Sequence, residues 1–564
     1  MTDTALAPDI QRWIDMGRAQ VEIGQYDAAL QAFEHVPGHL GYNLRGVTLG
    51  VMGRHAEALS ACSAAALEFP CAPYWGNVGG LLVQLTRFQD AIEYLERAVA
   101  ADPALVTVHE NLGLAYLRLG DTRRSATAYR AGMRRGSQKA HQNLIFLMDY
   151  LADTTPGDAY RLRRQYNTQY AAGQAAEHTP PRTALLGGAA ATGPVRVGYI
   201  GSDFQQHSAA RCFAPVLLNH TKAVEPFIYS GTPMASHMDG LYRLFRRALP
   251  NWRSIWGWTT DEIVNVIRAD ALDILVDLGG YTKGNFLEVL SRRPAPIQVT
   301  AWGHAHGTGL DTVDYLFGDE WATPSALEPF IREQVWRLPS IVPFFHQEWM
   351  DALEPGPLPY DRNGYITFGS FNRHIKVSPE TLDMWAQILL AVPTARLILK
   401  DNGGWTVPDV RERISDAFSA RGVDIARITI YGKTTHADHL LVYQHIDIAL
   451  DPYPHGGGVT ALEGLWMGVP MITRKGEWIP TRLGYSFWRS LDPKLALQFV
   501  AETVSAYVGL AEAWAQNTEE LRNLRATLRE TLRSSPLLDC SRYVNEVETA
   551  YRAMIDRRCA DANP

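Results

Sequence analysis

Over the first 137 positions apolar residues recur with helical spacing, and one pair of small and large side chains returns every thirty-odd residues. Gly17, Gly46, Gly79 and Gly113 lie 29, 33 and 34 residues apart, and twelve residues behind each stands Ala29, Ala58, Ala91 or Ser125. Four residues further come Phe33, Cys62, Leu95 and Tyr129, and Pro70 and Pro103 close two of the units. A small residue on one helix facing a large one on the next, at a period near 34, predicts a helix-pair repeat. The reason is steric. Glycine lets two antiparallel helices approach, and the large side chain of the second fills the space beside it. The pattern predicts four such units over residues 1–137, of the tetratricopeptide kind, each covering its neighbour's apolar face and together leaving a concave groove.

Asparagines share the period: Asn43, Asn77, Asn111 and Asn143 are 34, 34 and 32 residues apart. A carboxamide both donates and accepts, so a row of them suits an extended peptide held by its backbone, whatever its sequence. Asn77, Asn111 and Asn143 are therefore candidate acceptor-binding residues, whereas Asn43 sits one position out of phase with its glycine. Residues 138–193 read as a helical connector that ends in a Pro/Gly-rich linker, HTPPRTALLGGAAATGP at 178–194.

From residue 194 the period changes. Short apolar runs alternate with helical stretches: VRVGYIGSDF, ALDILVDLGGYT, PIQVTAWGHAHGTG and VDYLFGDEWATP, then GYITFGSFNRHIK, ARLILKD, ARITIYGKTT, IALDPYPHGGG and MITRKG. This pattern predicts two doubly wound α/β lobes, 194–350 and 351–500, with ligands at the carboxyl ends of their strands. The C-terminal helices, 501–564, are expected to pack back on the catalytic region, those of 501–557 against its first lobe.

Composition narrows the function classes. A 564-residue chain with 46% hydrophobic and 20% charged residues is globular, and 53 basic against 60 acidic side chains argue against a nucleic-acid partner. Five scattered cysteines make no disulfide framework. The start MTDTALAPDIQRW lacks the basic opening of a signal peptide, and no apolar run is long enough to span a bilayer. A cytoplasmic protein without a membrane partner is expected.

The strand exits carry the chemistry. In DPYPHGGGVTALEGLWMGVP, glycines precede a helix start at Val459 and Thr460, a natural phosphate cradle, and Glu463 one turn on suits a ribose diol. Arg373 and Lys376 follow the FGS strand exit, where a lysine neutralises a departing diphosphate without a metal. His207 follows the first strand of the other lobe and is a candidate base or orienting group. Gly307 and Thr308, in GHAHGTG, belong to a further glycine-rich loop on that side and are candidate ligand-binding residues beside those of the phosphate cradle. No Asp-x-Asp, a pair of acids that commonly holds a divalent metal beside a diphosphate, occurs, so no metal and no cofactor are expected.

RVGYIGSDFQQHS, ILVDLGGYTKG, RPAPIQVTAWGHAHGTG, FGSFNRHIKVSPETLDMWAQILLAVP and ALEGLWMGVPM together resemble the O-linked N-acetylglucosamine transferase and SPINDLY family. The resemblance implies tetratricopeptide repeats ahead of a two-lobed glycosyltransferase-B fold. It also implies inverting transfer of a sugar from a nucleotide diphosphate, UDP-GlcNAc foremost, to Ser or Thr of proteins. His207 matches the family's active-site histidine, Lys376 its diphosphate lysine, His439 the histidine beside uracil and Glu463 the ribose acid. The chain departs from the animal enzymes at Arg373 (Gln there), at His436 (Lys) and at Gly458-Val459-Thr460-Ala461 (His-Thr-Thr-Gly). His455 replaces a small residue close to the sugar, which leaves GDP-fucose, UDP-glucose or another donor as alternatives. A non-catalytic repeat scaffold is a further alternative, against which His207 and Lys376 both speak.

Overall fold

The computed structural model describes residues 7–175 and 193–562, so most of the expected linker at 178–194 lies outside the described residues. The chain divides into two compact units, one of residues up to Leu144 with Val407–Ile414, the other of Ile145–Thr406 and Ser415 onward. Among the described residues no helix is long and apolar enough to cross a membrane.

The first unit is built from helix pairs: α1 (Pro8–Glu22) with α2 (Tyr26–Glu34), α3 (Gly38–Val51) with α4 (His55–Glu68), α5 (Ala72–Gln84) with α6 (Phe88–Ala101), and α7 (Val106–Leu119) with α8 (Thr122–Arg134). α9 (Gln138–Leu147) follows. A Cβ placed on Gly17, Gly46, Gly79 or Gly113 would collide with Phe33, Cys62, Leu95 or Tyr129 respectively, the four pairs expected from the spacing. Ala29, Ala58, Ala91 and Ser125 are fully buried beside them. The asparagines come together on successive first helices. Asn77 Nδ2 donates to Asn43 Oδ1 at 2.8 Å, so Asn43 stands in the row despite its phase. Asn111 follows against Gly80, and Asn143 is half-buried on α9.

The second unit holds two sheets in which every strand pair is parallel. In the first lobe β1 (Val195–Gly201), β2 (Val224–Ser230), β3 (Asn251–Ser254), β4 (Ile274–Asp277), β5 (Ile297–Thr300), β6 (Tyr315–Gly318) and β7 (Gln334–Arg337) lie in the order 3-2-1-4-5-6-7. In the second lobe β8 (Thr367–Ser370), β9 (Arg396–Lys400), β10 (Ile428–Tyr431), β11 (Ile448–Leu450), β12 (Met471–Arg474) and β13 (Val500–Ala501) lie in the order 10-9-8-11-12-13. The order reverses between β1 and β4 and again between β8 and β11, so each lobe opens a crevice where its strands end.

Within the connector, Ile145, Tyr166 and Ala171 pack into one core with Ile200, Phe227 and Leu275 of the first lobe. The expectation for the C-terminal helices needs correction, because they divide. Val504–Gln516 and Thr518–Arg533 pack on the second lobe, and only Cys540–Ala562 returns to the first. There Glu548 accepts from His220 Nδ1 (3.0 Å), Thr221 N (2.8 Å) and Thr221 Oγ1 (2.6 Å). The helix Thr518–Arg533 is fastened by Arg525, which is buried and donates to the carbonyls of Pro355, Gly356, Tyr443 and Ile446.

Candidate active site

Both crevices carry their polar residues on the turns leaving the reversal strands. β1 exits into a loop whose His207 caps the helix Ser208–Leu217, with Nδ1 accepting the Ala209 amide at 3.2 Å. Asp203 lies 3.4 Å from the same nitrogen. Burial holds His207 below the usual histidine range, against the pull of Asp203. The neutral ring therefore carries its proton on Nε2 and presents it as a donor, which suits orienting a hydroxyl or an oxyanion.

One turn further, Arg211 reaches from the first lobe to Glu463 of the second, Nη1 to Oε1 at 3.3 Å. Glu463 is only 2% exposed and also meets His436 Nε2 at 2.7 Å and His439 Nε2 at 3.4 Å. Burial raises this acid, but the two histidines and Arg211 outweigh it and hold the carboxyl well below its ordinary range. His439 sits edge-on to Phe371 and Tyr443, and Trp349 stands edge-on to His436.

β8 exits into Arg373, which is exposed, and then the short turn His374–Lys376. Lys376 Nζ donates to the Gly456 carbonyl at 2.7 Å. Burial pushes its ammonium down to about 8, Asp451 opposes that shift and Arg373 adds to it. Arg373 also acts electrostatically on His207 and Asp203 across the cleft. β11 exits into Asp451, around which the glycine loop is wound. Its Oδ1 accepts the Gly457 amide at 2.5 Å and its Oδ2 accepts Thr473 Oγ1 at 2.7 Å. A Cβ on Gly456 would lie 2.7 Å from Asp451 Oδ2, so this turn admits no larger residue. Burial raises Asp451 to about 6. The loop delivers Gly458, Val459 and Thr460 to the start of the helix Val459–Trp466, which no side chain caps, so its first amides are open to an anion. Tyr443 fixes that start by donating to the Thr460 carbonyl at 2.7 Å.

The structure thus brings together His207, Arg373, Lys376, His436, His439, His455, Glu463 and the 458–460 turn. Gly307 and Thr308 go elsewhere. Thr308 is fully buried and spends its amide (2.5 Å) and hydroxyl (2.7 Å) on Glu333, and a Cβ on Gly307 would strike the same carboxylate. What their loop brings toward the cleft instead is His304 and His306, both of which meet Asp149. Asp149, Arg211 and Asp451 escape a reading of isolated motifs. For Asp451 a signal exists, an acid at a strand end five residues ahead of a Gly-Gly-Gly run.

Two parallel sheets of this order, with their reversal points carrying a basic residue and an open helix start opposite a histidine, define the glycosyltransferase-B architecture. The chain belongs to glycosyl transferase family 41, whose model matches residues 178–344 and 358–547, and a tetratricopeptide model matches 43–106 and 79–140. It is 31% identical over 428 residues to the probable UDP-N-acetylglucosamine–peptide N-acetylglucosaminyltransferase SPINDLY of Solanum lycopersicum, covering 75% of this chain and 45% of that one. The corresponding protein of Hordeum vulgare is 32% identical over 438 residues, 76% of this chain and 45% of its own. The chain therefore spans about half the length of these relatives. A solved structure of a mutant Thermobaculum terrenum O-GlcNAc transferase superimposes with a TM-score of 0.79 at 29% identity, covering 99% of this chain and 100% of that one.

Proposed function

We propose that the protein is an inverting, metal-independent protein O-glycosyltransferase of the cytoplasm, transferring GlcNAc from UDP-GlcNAc to Ser or Thr of proteins held in the repeat groove. The observation that carries this reading is Lys376, a half-buried ammonium held on the Gly456 carbonyl beside an uncapped helix start, with Arg373 of the same turn acting on His207 of the other lobe. In the reaction, the acceptor oxygen attacks the anomeric carbon from the face opposite the diphosphate, and the bond from that carbon to the phosphate oxygen breaks. The acceptor's hydroxyl proton passes to the departing diphosphate or to water, with His207 Nε2 orienting the acceptor as a donor. The electron pair leaves on the diphosphate, next to Lys376 and the amides at Val459 and Thr460. His439 and Glu463 are assigned to the uridine, with His436 and Arg211 holding the carboxylate, and Arg373 spans toward the first lobe. The names of the SPINDLY relatives, probable UDP-N-acetylglucosamine–peptide N-acetylglucosaminyltransferases, support the donor. His455, stacked on Tyr150, favours as a second reading a donor sugar without the acetamido group.

The test pairs two assays. Donor hydrolysis over UDP-GlcNAc, UDP-glucose and GDP-fucose is expected to survive EDTA; loss on chelation, restored by Mg²⁺ or Mn²⁺, overturns the metal-independent mechanism. Asn77→Ala with Asn111→Ala is expected to weaken transfer to a protein acceptor and to leave donor hydrolysis within about twofold, since losing the half-buried Asn77–Asn43 bond costs only about 1 kcal/mol. Equal loss in both assays, or in neither, rejects the groove assignment.

A pH profile follows from Lys376. The charged form holds the diphosphate, and its proton leaves the donor-free protein at about 8. As pH rises through that value the competent fraction falls, so kcat/KM is expected to drop about tenfold per pH unit above it. Bound diphosphate favours the ammonium, so the corresponding limb of kcat lies higher. A kcat/KM flat to pH 10 removes Lys376 from donor capture.

A further inference from the structure

Lys376 and His455 share one acceptor. The Gly456 carbonyl lies 2.7 Å from Lys376 Nζ and 2.9 Å from His455 Nδ1. In a donor with its ribose at Glu463 and its diphosphate at Lys376, the next group is the sugar, and the residue beside Lys376 is His455. A carbonyl only accepts, so His455 carries its proton on Nδ1 and leaves Nε2 with a free lone pair. Burial pushes this imidazole down to about 3, so it stays neutral.

Behind His455 stands a turn that belongs to neither sheet, Met148–Tyr150. Tyr150 stacks on the His455 ring with centroids 5.0 Å apart and planes 20° from parallel. Asp149 lies between His304 Nε2 (3.2 Å) and His306 Nε2 (3.1 Å), with Arg163 at 3.9 Å. His306 in turn stacks on Trp478 of the second lobe, centroids 4.1 Å apart. Asp149, Tyr150, Arg163, His304 and His306 are all buried, and Arg163 Nε and Nη2, both nitrogens of His304 and His306 Nε2 make no well-aligned hydrogen bond, so Asp149 meets the two rings as close electrostatic contacts. So many polar groups taken out of water are costly. Of this cluster Tyr150 touches the His455 ring, and Asp149 and His306 act on it electrostatically.

We infer that the Met148–Tyr150 turn completes the subsite for the donor's sugar: Tyr150 fixes the plane of His455, Asp149 anchors His304 and His306 behind it, and His455 Nε2 accepts a sugar hydroxyl. The inference rests on the transferase reading above. Asp149 and Tyr150 are positioning residues, whereas His455 touches the substrate. The choice of sugar is then made partly by a segment that precedes the first lobe.

The experiment uses the full chain. Calorimetry with UDP and GDP first establishes which nucleotide binds. Hydrolysis of donors sharing that nucleotide (UDP-glucose, UDP-galactose and UDP-GlcNAc, or GDP-mannose and GDP-fucose) then gives the ratio of kcat/KM between the best and the next sugar. Tyr150→Ala is expected to compress that ratio by about tenfold, the worth of one well-placed hydrogen bond, with the nucleotide Kd unchanged. Tyr150→Phe, which keeps the ring, restores the wild-type ratio. Asp149→Asn keeps the volume and shifts the ratio in the same direction, and it carries the test if Tyr150→Ala does not fold. An unchanged ratio in both variants, beside intact nucleotide binding, overturns the subsite alone. Absence of binding by both nucleotides overturns the transferase reading and the subsite with it.

Discussion

Replacing Lys376 by alanine is expected to slow sugar transfer by about 10²–10³-fold, the usual consequence of removing one aimed donor from a developing oxyanion. The size of the effect follows from the surroundings. The ammonium is held by the Gly456 carbonyl at 2.7 Å and faces Asp451 behind it, so it is fixed before the donor arrives and loses nothing to reorganisation. Arg373 does not substitute for it, being exposed at the head of the same turn. The loss should fall on kcat, since the charge that Lys376 meets grows as the bond to the sugar breaks. The fold should survive, because Asp451 keeps its bonds from Gly457 and Thr473. Steady-state kinetics beside circular dichroism reads the outcome. Turnover within a few-fold of wild type, with the fold intact, would falsify the assignment.

The largest effect on stability is expected at Arg525. Its guanidinium donates to four carbonyls, Gly356 at 3.0 Å, Ile446 at 2.9 Å, Pro355 at 2.8 Å and Tyr443 at 3.2 Å. Burial pushes its pKa down to about 10, so it remains charged at neutral pH. Arg525→Leu is similar in bulk but leaves those oxygens without their donor, which costs on the order of 3–5 kcal/mol. A thermal melt should show the transition of this lobe lowered by about 10 °C. Arg525→Lys, with a compact ammonium in place of a planar fork, should recover part of the loss. A midpoint unmoved by Arg525→Leu would mean that the helix Thr518–Arg533 is held by its leucines alone.

The repeat unit was legible because its locking contacts are local in sequence. Gly113 and Tyr129 are sixteen residues apart, and so is each of the other three pairs, so the steric requirement recurs at a fixed spacing. The strands β1, β4 and β5 were legible as buried apolar runs. Four strands were not. β2 carries Glu225 and Pro226, β3 reads Asn-Trp-Arg-Ser, β7 is an edge strand with exposed ends, and β13 has two residues. The placement of His207, Lys376 and Glu463 beside the crevices was legible because a doubly wound sheet opens its crevice where the strands end. Asp149 was not, since the histidines that flank it lie 155 and 157 residues further along the chain. Thr308 misled for a related reason: the glycines around it suggest an open loop, whereas the buried Glu333 that closes the loop comes 25 residues later.

The glycine locks of the repeat unit have an evolutionary consequence. Each lock, Gly46 with Cys62 or Gly79 with Leu95, closes inside a single helix pair. A duplicated stretch of about 34 codons therefore brings its own lock, and neighbouring pairs need no compensating change. Lengthening by duplication repeats the asparagine as well, so the row that begins with Asn43 and Asn77 grows in step with the scaffold. On the proposed reading of the groove, the length of chain an acceptor can lay along the row then changes with copy number, without any change around Lys376.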